Sequence, residues 1–412
     1  MNLNKLPFDE NTYQIINGDS MKVLDTLEAN SVDSVICDPP YELGFMGKSW
    51  DKTGIAYNVE LWKKVFRVLK SGGYLLAFGG SRTFHRIACA IEDAGFEIRD
   101  TIMWIYGSGF PKSMNIGLAI DNTTGKMVKG VGNNNTLPMN SGVEKKGFGT
   151  EYTQRKATNE WDGWGTKLKP AYEPIIVARK PVENTIIDNI LKYGVGGINI
   201  DDCRIPLETD YKAPKRSIES QNYVNSRKGQ TQCDLGGKGE NAGANELGRF
   251  PSNVILTYDD TDFDEVCGGM PNTKSIYNKN GTHETEIHRE NAGTLKYGYK
   301  NRIDTNSYND EGNAARYFYC AKASKKDRDS GLDMLEERTV NDGRKTDIDN
   351  AFQRGLTPRK NIHPTVKPVE LMEYLVRLVN PKGATILDIF NGSGSTGKAV
   401  AFENRERERE RV

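Results

Sequence analysis

Residues Val35–Tyr41 read VICDPPY, and this stretch decides how the first half of the chain is interpreted. A short apolar run predicts a buried strand, which ends abruptly in Asp38, Pro39, Pro40 and Tyr41. Proline fixes φ and has no backbone N–H, so the two prolines end the strand and hold the chain rigid beside the acid. A fixed acid and a flat ring at the end of a buried strand favour a functional site. An ordinary Asp-Pro-Pro turn is the alternative.

Strand and helix signals alternate on both sides of this stretch. Strands are predicted at 13–17, 32–37, 74–78 and 96–106, and helices at 21–27, 61–69 and 84–91. Repeated strand–helix–strand units predict a parallel, doubly wound α/β sheet. One more strand, at 173–178, is expected to pair antiparallel with residues 96–106 at a sheet edge.

The last part of the chain also carries regular signals. A helix is predicted at 365–379 with Pro368 in its first turn, then a strand at 384–390 and a helix that starts at Gly397. Residues 391–397 read NGSGSTG and match G-x-G-x-x-G, a pattern in which backbone approaches a ligand at a helix amino terminus. Too little chain follows for a dinucleotide-binding unit, and the Gly-Lys-Ser/Thr of a P-loop is absent.

Composition narrows the function classes. The 412 residues include 56 basic and 56 acidic side chains, which argues against a polycation that coats nucleic acid. The six cysteines form no C-x-x-C pair, so zinc and redox motifs are not expected, nor is any metal. No apolar segment reaches membrane-spanning length, and the amino terminus has no signal-peptide pattern. The expectation is a soluble, cytoplasmic protein.

The middle of the chain differs from both ends. Residues 182–361 are polar and irregular, with short apolar islands such as 252–256 and 316–320. We interpret them as an inserted, loop-rich recognition region, with partial disorder of 272–313 as the alternative. The predicted division is therefore 1–181 as the catalytic half, 182–361 as the target recognition region and 362–412 as the cofactor-binding half with a charged tail.

Three motifs together resemble one family. They are DPPY at Asp38–Tyr41, HPTVKP at His363–Pro368 and LDIFNGSGSTG at Leu387–Gly397. The set is similar to the amino-methyltransferases of DNA, and its order resembles the permuted beta group in a phage and bacterial branch. The resemblance implies a Rossmann-like methyltransferase sheet, S-adenosylmethionine as cofactor and double-stranded DNA as partner. Some enzymes of this group pair as dimers, so a homodimer is left open.

The resemblance also assigns chemistry to the opening motif. An exocyclic base amine is a poor nucleophile, because its lone pair is delocalised into the ring. Asp38, through its carboxylate, and Pro39, through its carbonyl, would accept the amine hydrogens, while Pro40 keeps the geometry rigid. Tyr41 would stack on the flipped base. DPPY is commoner among N6-adenine enzymes, which favours adenine, with N4-cytosine as the alternative.

Two further sets of residues follow from the resemblance. The cofactor set is Asp19, Ser20, His363, Thr365, Lys367, Asp388, Phe390, Asn391, Gly392 and Gly394. A loop-orienting structural role for Asp388 and a capping role for His363 stay open. The DNA set is Arg316, Lys322, Lys325, Lys326 and Arg328, next to the aromatic residues Tyr317, Phe318 and Tyr319. The alternatives are a solvated surface for the charges and a core position for the rings.

The chain departs from the family after the glycine loop. The family continues into a strand that ends in an acidic residue for the cofactor ribose, whereas residues 405–411 alternate arginine and glutamate. The expectation is a sheet with a gap or an uncovered edge beside the cofactor. A second hypothesis is therefore a truncated, catalytically impaired remnant that binds DNA but has lost tight cofactor binding.

Overall fold

A computed structural model describes residues 14–44, 49–106, 113–124, 143–145, 152–154, 156–206, 247–258, 267, 269–274, 311–320, 336, 338–339, 358–360 and 366–409. The helices are α1 (Ser20–Thr26), α2 (Val59–Val68), α3 (Phe84–Asp93), α4 (Ile116–Thr123), α5 (Ile186–Tyr193), α6 (Val369–Val379) and α7 (Ser395–Arg409). Short 3₁₀ helices lie at Ser49–Lys52, Ile55–Tyr57, Asp201–Cys203 and Ala314–Tyr317.

The strands fall into one large sheet and three small ribbons. They are β1 (Val32–Cys37), β2 (Leu69–Phe78), β3 (Glu97–Tyr106), β4 (Val143–Lys145), β5 (Tyr152–Gln154), β6 (Tyr172–Arg179), β7 (Val254–Thr257), β8 (Asn272–Lys274), β9 (Glu311–Asn313), β10 (Tyr319–Cys320), β11 (Arg338–Thr339), β12 (Pro358–Arg359) and β13 (Ile386–Leu387). The ribbons β4–β5, β8–β9 and β11–β12 each contain two strands.

The large sheet has seven strands in the order β10-β7-β3-β6-β2-β1-β13. Neighbouring strands in this sheet are parallel, except that β6 runs antiparallel to both β2 and β3. The predicted α/β fold class and the antiparallel pairing of the 173–178 strand are confirmed. Its predicted place at a sheet edge is wrong, because β6 lies between β2 and β3. Its apolar residues, including Ile175 and Ile176, are buried as an interior strand requires.

Both faces of the sheet are covered, as a doubly wound fold requires. Side chains alternate along each strand, so Val35 and Leu75 pack into one core with α1, α2 and α3. Ile36 and Leu76 point the other way and pack into a second core formed largely by α6. Strands covered on both faces read as continuous apolar runs, and all six residues of β1 are buried.

Helix α2 shows why these segments fold as they do. Asn58 caps its amino terminus, with its side-chain oxygen accepting a bond from the Glu60 N–H at 3.0 Å. Four apolar side chains at helical spacing form its buried face: Leu61, Trp62, Val65 and Val68. Trp62 donates its indole N–H to the Ala56 carbonyl at 2.9 Å, so burial leaves no polar atom unpaired.

Three predicted elements differ from the observed ones. Residues 14–17 form no strand, and Ile15 and Ile16 are exposed, so the strand predicted at 13–17 is wrong for these residues. A strand needs a hydrogen-bonded neighbour, and within the described residues the sheet ends at the two-residue strand β13. The strand predicted at 384–390 is shortened to β13. The helix predicted at 365–379 begins only at Val369, because Pro368 precedes α6 with an extended ψ of 135°.

The middle segment contributes to the same sheet. Two of its apolar islands become β7 and β10, which extend the sheet beyond β3. Of residues 272–313, only the β8–β9 ribbon lies within the described residues. The division at 182 and 361 stays a prediction. In the part of the chain that the structure describes, no helix is long and apolar enough to cross a membrane.

Candidate active site

The candidate site lies where β1 and β13 end. These strands are parallel neighbours, with Ser34 opposite Ile386 and Val35 opposite Leu387. Asp38 and Asp388 follow them directly, so the DPPY motif and the glycine loop reach the same edge of the sheet. Parallel strands place their carboxyl ends together, and α/β proteins bind ligands at this edge. Two motifs that are distant in sequence are thus adjacent in space.

Asp38 has two oxygens in different situations. Its Oδ2 accepts a hydrogen bond from Lys367 Nζ at 2.8 Å. Its Oδ1 is buried and has no hydrogen-bond partner among the described residues. A buried carboxylate oxygen without a donor is costly, because it has lost water and gained nothing in exchange. One acceptor of Asp38 is therefore held by Lys367, and the other receives no donor from the described residues.

Glu173 is a second carboxylate in the site, and it was not among the predicted site residues. Its Oε2 accepts a hydrogen bond from the Tyr41 hydroxyl at 2.6 Å and lies 3.3 Å from Lys367 Nζ. Its Oε1 accepts a bond from the Tyr106 hydroxyl at 3.2 Å. Lys367 Nζ also lies 3.1 Å from the Tyr41 hydroxyl oxygen. The available signal was an acid at the start of an otherwise apolar strand.

Aromatic rings surround the ammonium group of Lys367. Its Nζ lies 4.9 Å from the ring centre of Phe78, 5.3 Å from that of Tyr41 and 6.0 Å from that of Trp104. Rings favour a cation over their faces and keep water away from it. Trp104 is held by a bond from its indole N–H to the Thr257 hydroxyl at 2.8 Å. Lys367 is thus a nearly buried cation in a fixed orientation.

Burial and charge shift the pKa values of this cluster. Burial is the main reason that the pKa of Asp38 is raised, and Glu173 raises it further while Lys367 opposes the shift. Burial by itself would lower the pKa of Lys367, but Asp38 and Glu173 outweigh it and the pKa is raised. Lys367 therefore stays charged at neutral pH and is shared between two carboxylates.

Asp388 holds the glycine loop together. Its Oδ1 accepts a bond from the Phe390 N–H at 2.9 Å, and its Oδ2 accepts one from the Thr396 hydroxyl at 2.7 Å. Both oxygens of Asp388 accept hydrogen bonds from the loop and from the start of α7. These contacts are those of a residue that orients the loop, which was the alternative to a cofactor contact. Burial raises its pKa to about 6, despite these two bonds.

The loop itself requires its glycines. Gly392 and Gly394 have φ values of 51° and 77°, a left-handed region that other residues rarely adopt. A Cβ atom placed on Gly394 or Gly397 would have no neighbouring atom of the described chain within 4 Å. The loop therefore presents bare backbone to open space where α7 begins. Asn391 is exposed on the same loop, and Phe390 packs against the core.

Asp19 and Ser20 join α1 to this loop. Asp19 caps α1 by accepting a bond from the Met21 N–H at 3.0 Å, and it is exposed. Ser20 donates its hydroxyl to the Ile389 carbonyl at 2.7 Å. The start of α1 is therefore fixed next to the glycine loop, although neither side chain was predicted to make these particular contacts.

The remaining predicted site residues lie mostly outside the described part of the chain. His363, Thr365, Lys322, Lys325, Lys326 and Arg328 lie outside the described residues, and only the backbone of Arg316 is described. Tyr319 stacks on Tyr374 with ring centres 4.1 Å apart, and Phe318 packs against a small core. The Tyr317 hydroxyl pairs with that of Thr273. The rings of Phe318 and Tyr319 pack against core residues, which was the alternative to a base-stacking surface.

The fold is α/β, and an acid and a glycine loop follow adjacent strands at the carboxyl edge of the sheet, where sheets of this kind bind ligands. The DNA methylase family matches residues 32–407, and the chain belongs to this family. The family resemblance seen in the sequence is thereby confirmed.

Individual relatives are distant. The chain is 25% identical over 229 residues to the type II methyltransferase M.HindIII of Haemophilus influenzae, which covers 45% of this chain and 64% of that protein. It is 24% identical over 254 residues to M2.DpnII of Streptococcus pneumoniae, covering 53% and 94%. The PvuII DNA methyltransferase, a cytosine-N4-specific enzyme, aligns over 94% of this chain and 77% of its own at 12% identity and a TM-score of 0.37. The chain thus spans less than two thirds of M.HindIII.

Proposed function

We propose that the protein transfers a methyl group from S-adenosylmethionine to the exocyclic N6 amine of adenine in DNA. The observation that carries the proposal is the buried Asp38 Oδ1, which has no partner among the described residues while Lys367 occupies Oδ2. A base amine carries two hydrogens, and this oxygen is an acceptor for one of them. N4-cytosine is the second candidate, because a cytosine amine needs the same acceptor.

The residues at the glycine loop fit the proposed cofactor. The left-handed glycines and the open space over Gly394 and Gly397 let a ligand lie against the backbone at the start of α7. The residues that would hold it are the loop 390–394 together with Asp19 and Ser20. When bound, S-adenosylmethionine supplies a sulfonium methyl group as the electrophile.

The chain's own residues prepare the amine. Asp38 Oδ1 and the Pro39 carbonyl accept its hydrogens, which draws its lone pair out of conjugation with the ring. Transfer leaves the nitrogen with one proton too many, and the Asp38 carboxylate can hold that proton before solvent takes it. The Tyr41 ring, fixed through its hydroxyl to Glu173, is a surface on which the flipped base stacks.

The proposal is tested with labelled S-adenosylmethionine and duplex DNA, followed by digestion to nucleosides. Label in N6-methyladenine supports the proposal. Label in N4-methylcytosine supports methyltransferase activity but rejects adenine as the target base. If DNA of varied sequence remains unlabelled, in cells and in vitro, the proposed activity is rejected.

Calorimetry tests the remnant hypothesis separately. A remnant binds duplex DNA but gives no heat of binding with S-adenosylmethionine, whereas the proposed enzyme gives heat with both. Because the cofactor titration needs no DNA, its result does not depend on knowing the recognition site.

A further inference from the structure

Two tryptophans are exposed on the loop that leads into β6. Trp161 and Trp164 retain 40% and 58% of their accessible surface, and Leu168 beside them retains 93%. The two indole rings pack edge to face with their centres 5.1 Å apart. We call Trp161, Trp164 and Leu168 the indole surface. Large apolar side chains grouped on an otherwise polar loop mark an interaction surface more often than a random exposure.

The loop that carries this surface is built to be rigid. Asp121 of α4 is buried, and it accepts hydrogen bonds from the Thr158 N–H at 2.6 Å, the Thr158 hydroxyl at 2.9 Å and the Asn159 amide at 2.7 Å. A Cβ atom on Gly117 would lie 2.8 Å from the Trp161 carbonyl oxygen, so only glycine allows this close approach. The indole rings are therefore held in place before any partner binds.

The loop that carries the indole surface enters the sheet at the edge that holds the site. The loop ends at Ala171, whose carbonyl accepts a bond from the Tyr106 N–H at 3.0 Å, and β6 then carries Glu173 into the site. Even a fully extended chain limits the distance from Trp164 to Glu173 to about 30 Å. A duplex that delivers a base to Asp38 extends beyond the extruded base on both sides, because its backbones and neighbouring base pairs flank that base.

The charges around the surface suit a polyanion. Lys167 and Lys169 flank Leu168, and Lys156 begins the loop. The loop also carries two acids: Glu160 is next to Trp161 in sequence, and Asp162 accepts a bond from the Ala157 N–H, so the three lysines exceed the acids by one charge. Exposed rings next to lysines are the arrangement with which proteins stack on bases while following a phosphate backbone.

We propose that the indole surface is a second DNA contact, which stacks on bases adjacent to the extruded target base. It lies outside the region 182–361, to which target recognition was assigned. The inference rests on the proposed function only in taking DNA as the substrate. A second copy of the chain is the competing occupant.

The experiment measures binding of the full-length protein to a fluorescent duplex by anisotropy, without cofactor. Replacing both rings, W161A/W164A, is expected to raise Kd by about tenfold or more, because it removes the ring face that stacks on a base together with the ring that supports it. The matched control is I187A/L191A, which removes apolar surface that is also exposed, 67% and 81%, from α5. That helix contacts Ser71 near the start of β2, at the opposite edge of the sheet, and the control should bind as the parent does.

A second variant separates stacking from folding. W161F/W164F keeps flat rings and should retain most of the affinity, while thermal unfolding verifies that every variant folds. An unchanged Kd for W161A/W164A overturns the proposal. If Kd is unchanged and the variant is a monomer where the parent is a dimer, the surface binds a second copy of the chain, and this result also overturns the proposal.

Failure of the proposed function is distinguishable from failure of this inference. Loss of affinity in W161A/W164A without any methyl transfer by the parent supports the indole surface and rejects the activity. Methyl transfer by the parent with unchanged affinity in the variant rejects the indole surface alone.

Discussion

Asp38 and Asp388 are the same residue type at the same edge of the sheet, one after β1 and the other after its neighbour β13. Asp388 uses both oxygens to hold the glycine loop, through Phe390 and Thr396. Asp38 uses one oxygen on Lys367 and keeps the other buried and unpaired within the described residues. Both acids follow the end of a strand. The hydrogen-bond donors around each acid decide whether both of its oxygens are occupied or one is left without a partner among the described residues.

Electrostatics separate the two acids further. Burial raises the pKa of both, but in the described structure only Asp38 pairs with a cation. The negative charge of Asp38 also raises the pKa of Asp388. The same substitution should therefore affect activity strongly at Asp38 and weakly at Asp388.

The largest expected effect is that of Asp38→Asn on methyl transfer. Lys367 is a donor and will keep the amide oxygen, which turns the amide NH₂ toward the substrate amine. Two donors then face each other, and we expect kcat to fall by about 10²–10³-fold, as for loss of an oriented polar contact. Initial rates with labelled cofactor measure this.

Asp388→Asn is the matched control for that change. Its amide oxygen can accept the Phe390 N–H, and its NH₂ can donate to the Thr396 hydroxyl once that hydroxyl rotates. Activity should stay within a few-fold of the parent. The comparison between the two acids breaks if Asp388→Asn is as inactive as Asp38→Asn.

A second prediction concerns the cation that makes Asp38 different. Lys367→Met leaves Asp38 and Glu173 facing each other in a largely buried site, and breaking such a pair costs about 3–5 kcal/mol of unfolding free energy. Urea unfolding at neutral pH measures the loss. Because the pKa of Asp38 is raised by burial and protonation of Asp38 removes the repulsion, the loss should shrink as the pH falls, and a pH-independent loss would contradict the electrostatic cause.

Local patterns predicted much of this arrangement. Periodicity located β1, α2 and α3, since each buries its own apolar face. The two strand-end acids came from motifs: Asp38 and Asp388 each follow an apolar run and precede a rigid or glycine-rich turn.

Non-local pairing hid the rest. Glu173 reaches the site because β6 lies antiparallel between β2 and β3. Tertiary packing determines this position, and the residues of the strand alone do not. Lys367 was assigned to the cofactor, and that contact stays a prediction. Its bond to Asp38 depends on where the chain enters α6, which no spacing in the sequence reveals.

A third prediction uses the titration of Asp388. Its folded pKa of about 6 is above the usual carboxyl value, so the folded chain binds this proton more tightly than the unfolded chain does. The contribution is fully present below the unfolded pKa and is lost as the pH rises through 6. Relative to Asp388→Asn, the parent should lose up to about 3 kcal/mol of stability between pH 4 and pH 7. Parallel melts of both proteins across this range measure it, and parallel curves would contradict it.

The smallest expected effect tests what Glu173 adds to Asp38. The charge of Glu173 raises the pKa of Asp38, so Glu173→Gln should lower that pKa and move the acid limb of the kcat profile to lower pH. Besides burial, the groups that shift the pKa of Asp38 are Lys367, Glu173 and Tyr41.

The control for this shift removes a hydrogen bond to Glu173 without removing a charge. Tyr106→Phe deletes only the 3.2 Å contact to Glu173 Oε1 and should leave the acid limb in place. We expect Glu173→Gln to change kcat at neutral pH by less than about tenfold, since Gln can still accept the Tyr41 hydroxyl. A reduced melting temperature with an unmoved acid limb would show that Glu173 only supports the fold. A shifted limb with an unchanged melting temperature would show that Glu173 acts on the pKa of Asp38. By sharing the charge of Lys367, Glu173 would then keep Asp38 a stronger hydrogen-bond acceptor than it is in Glu173→Gln.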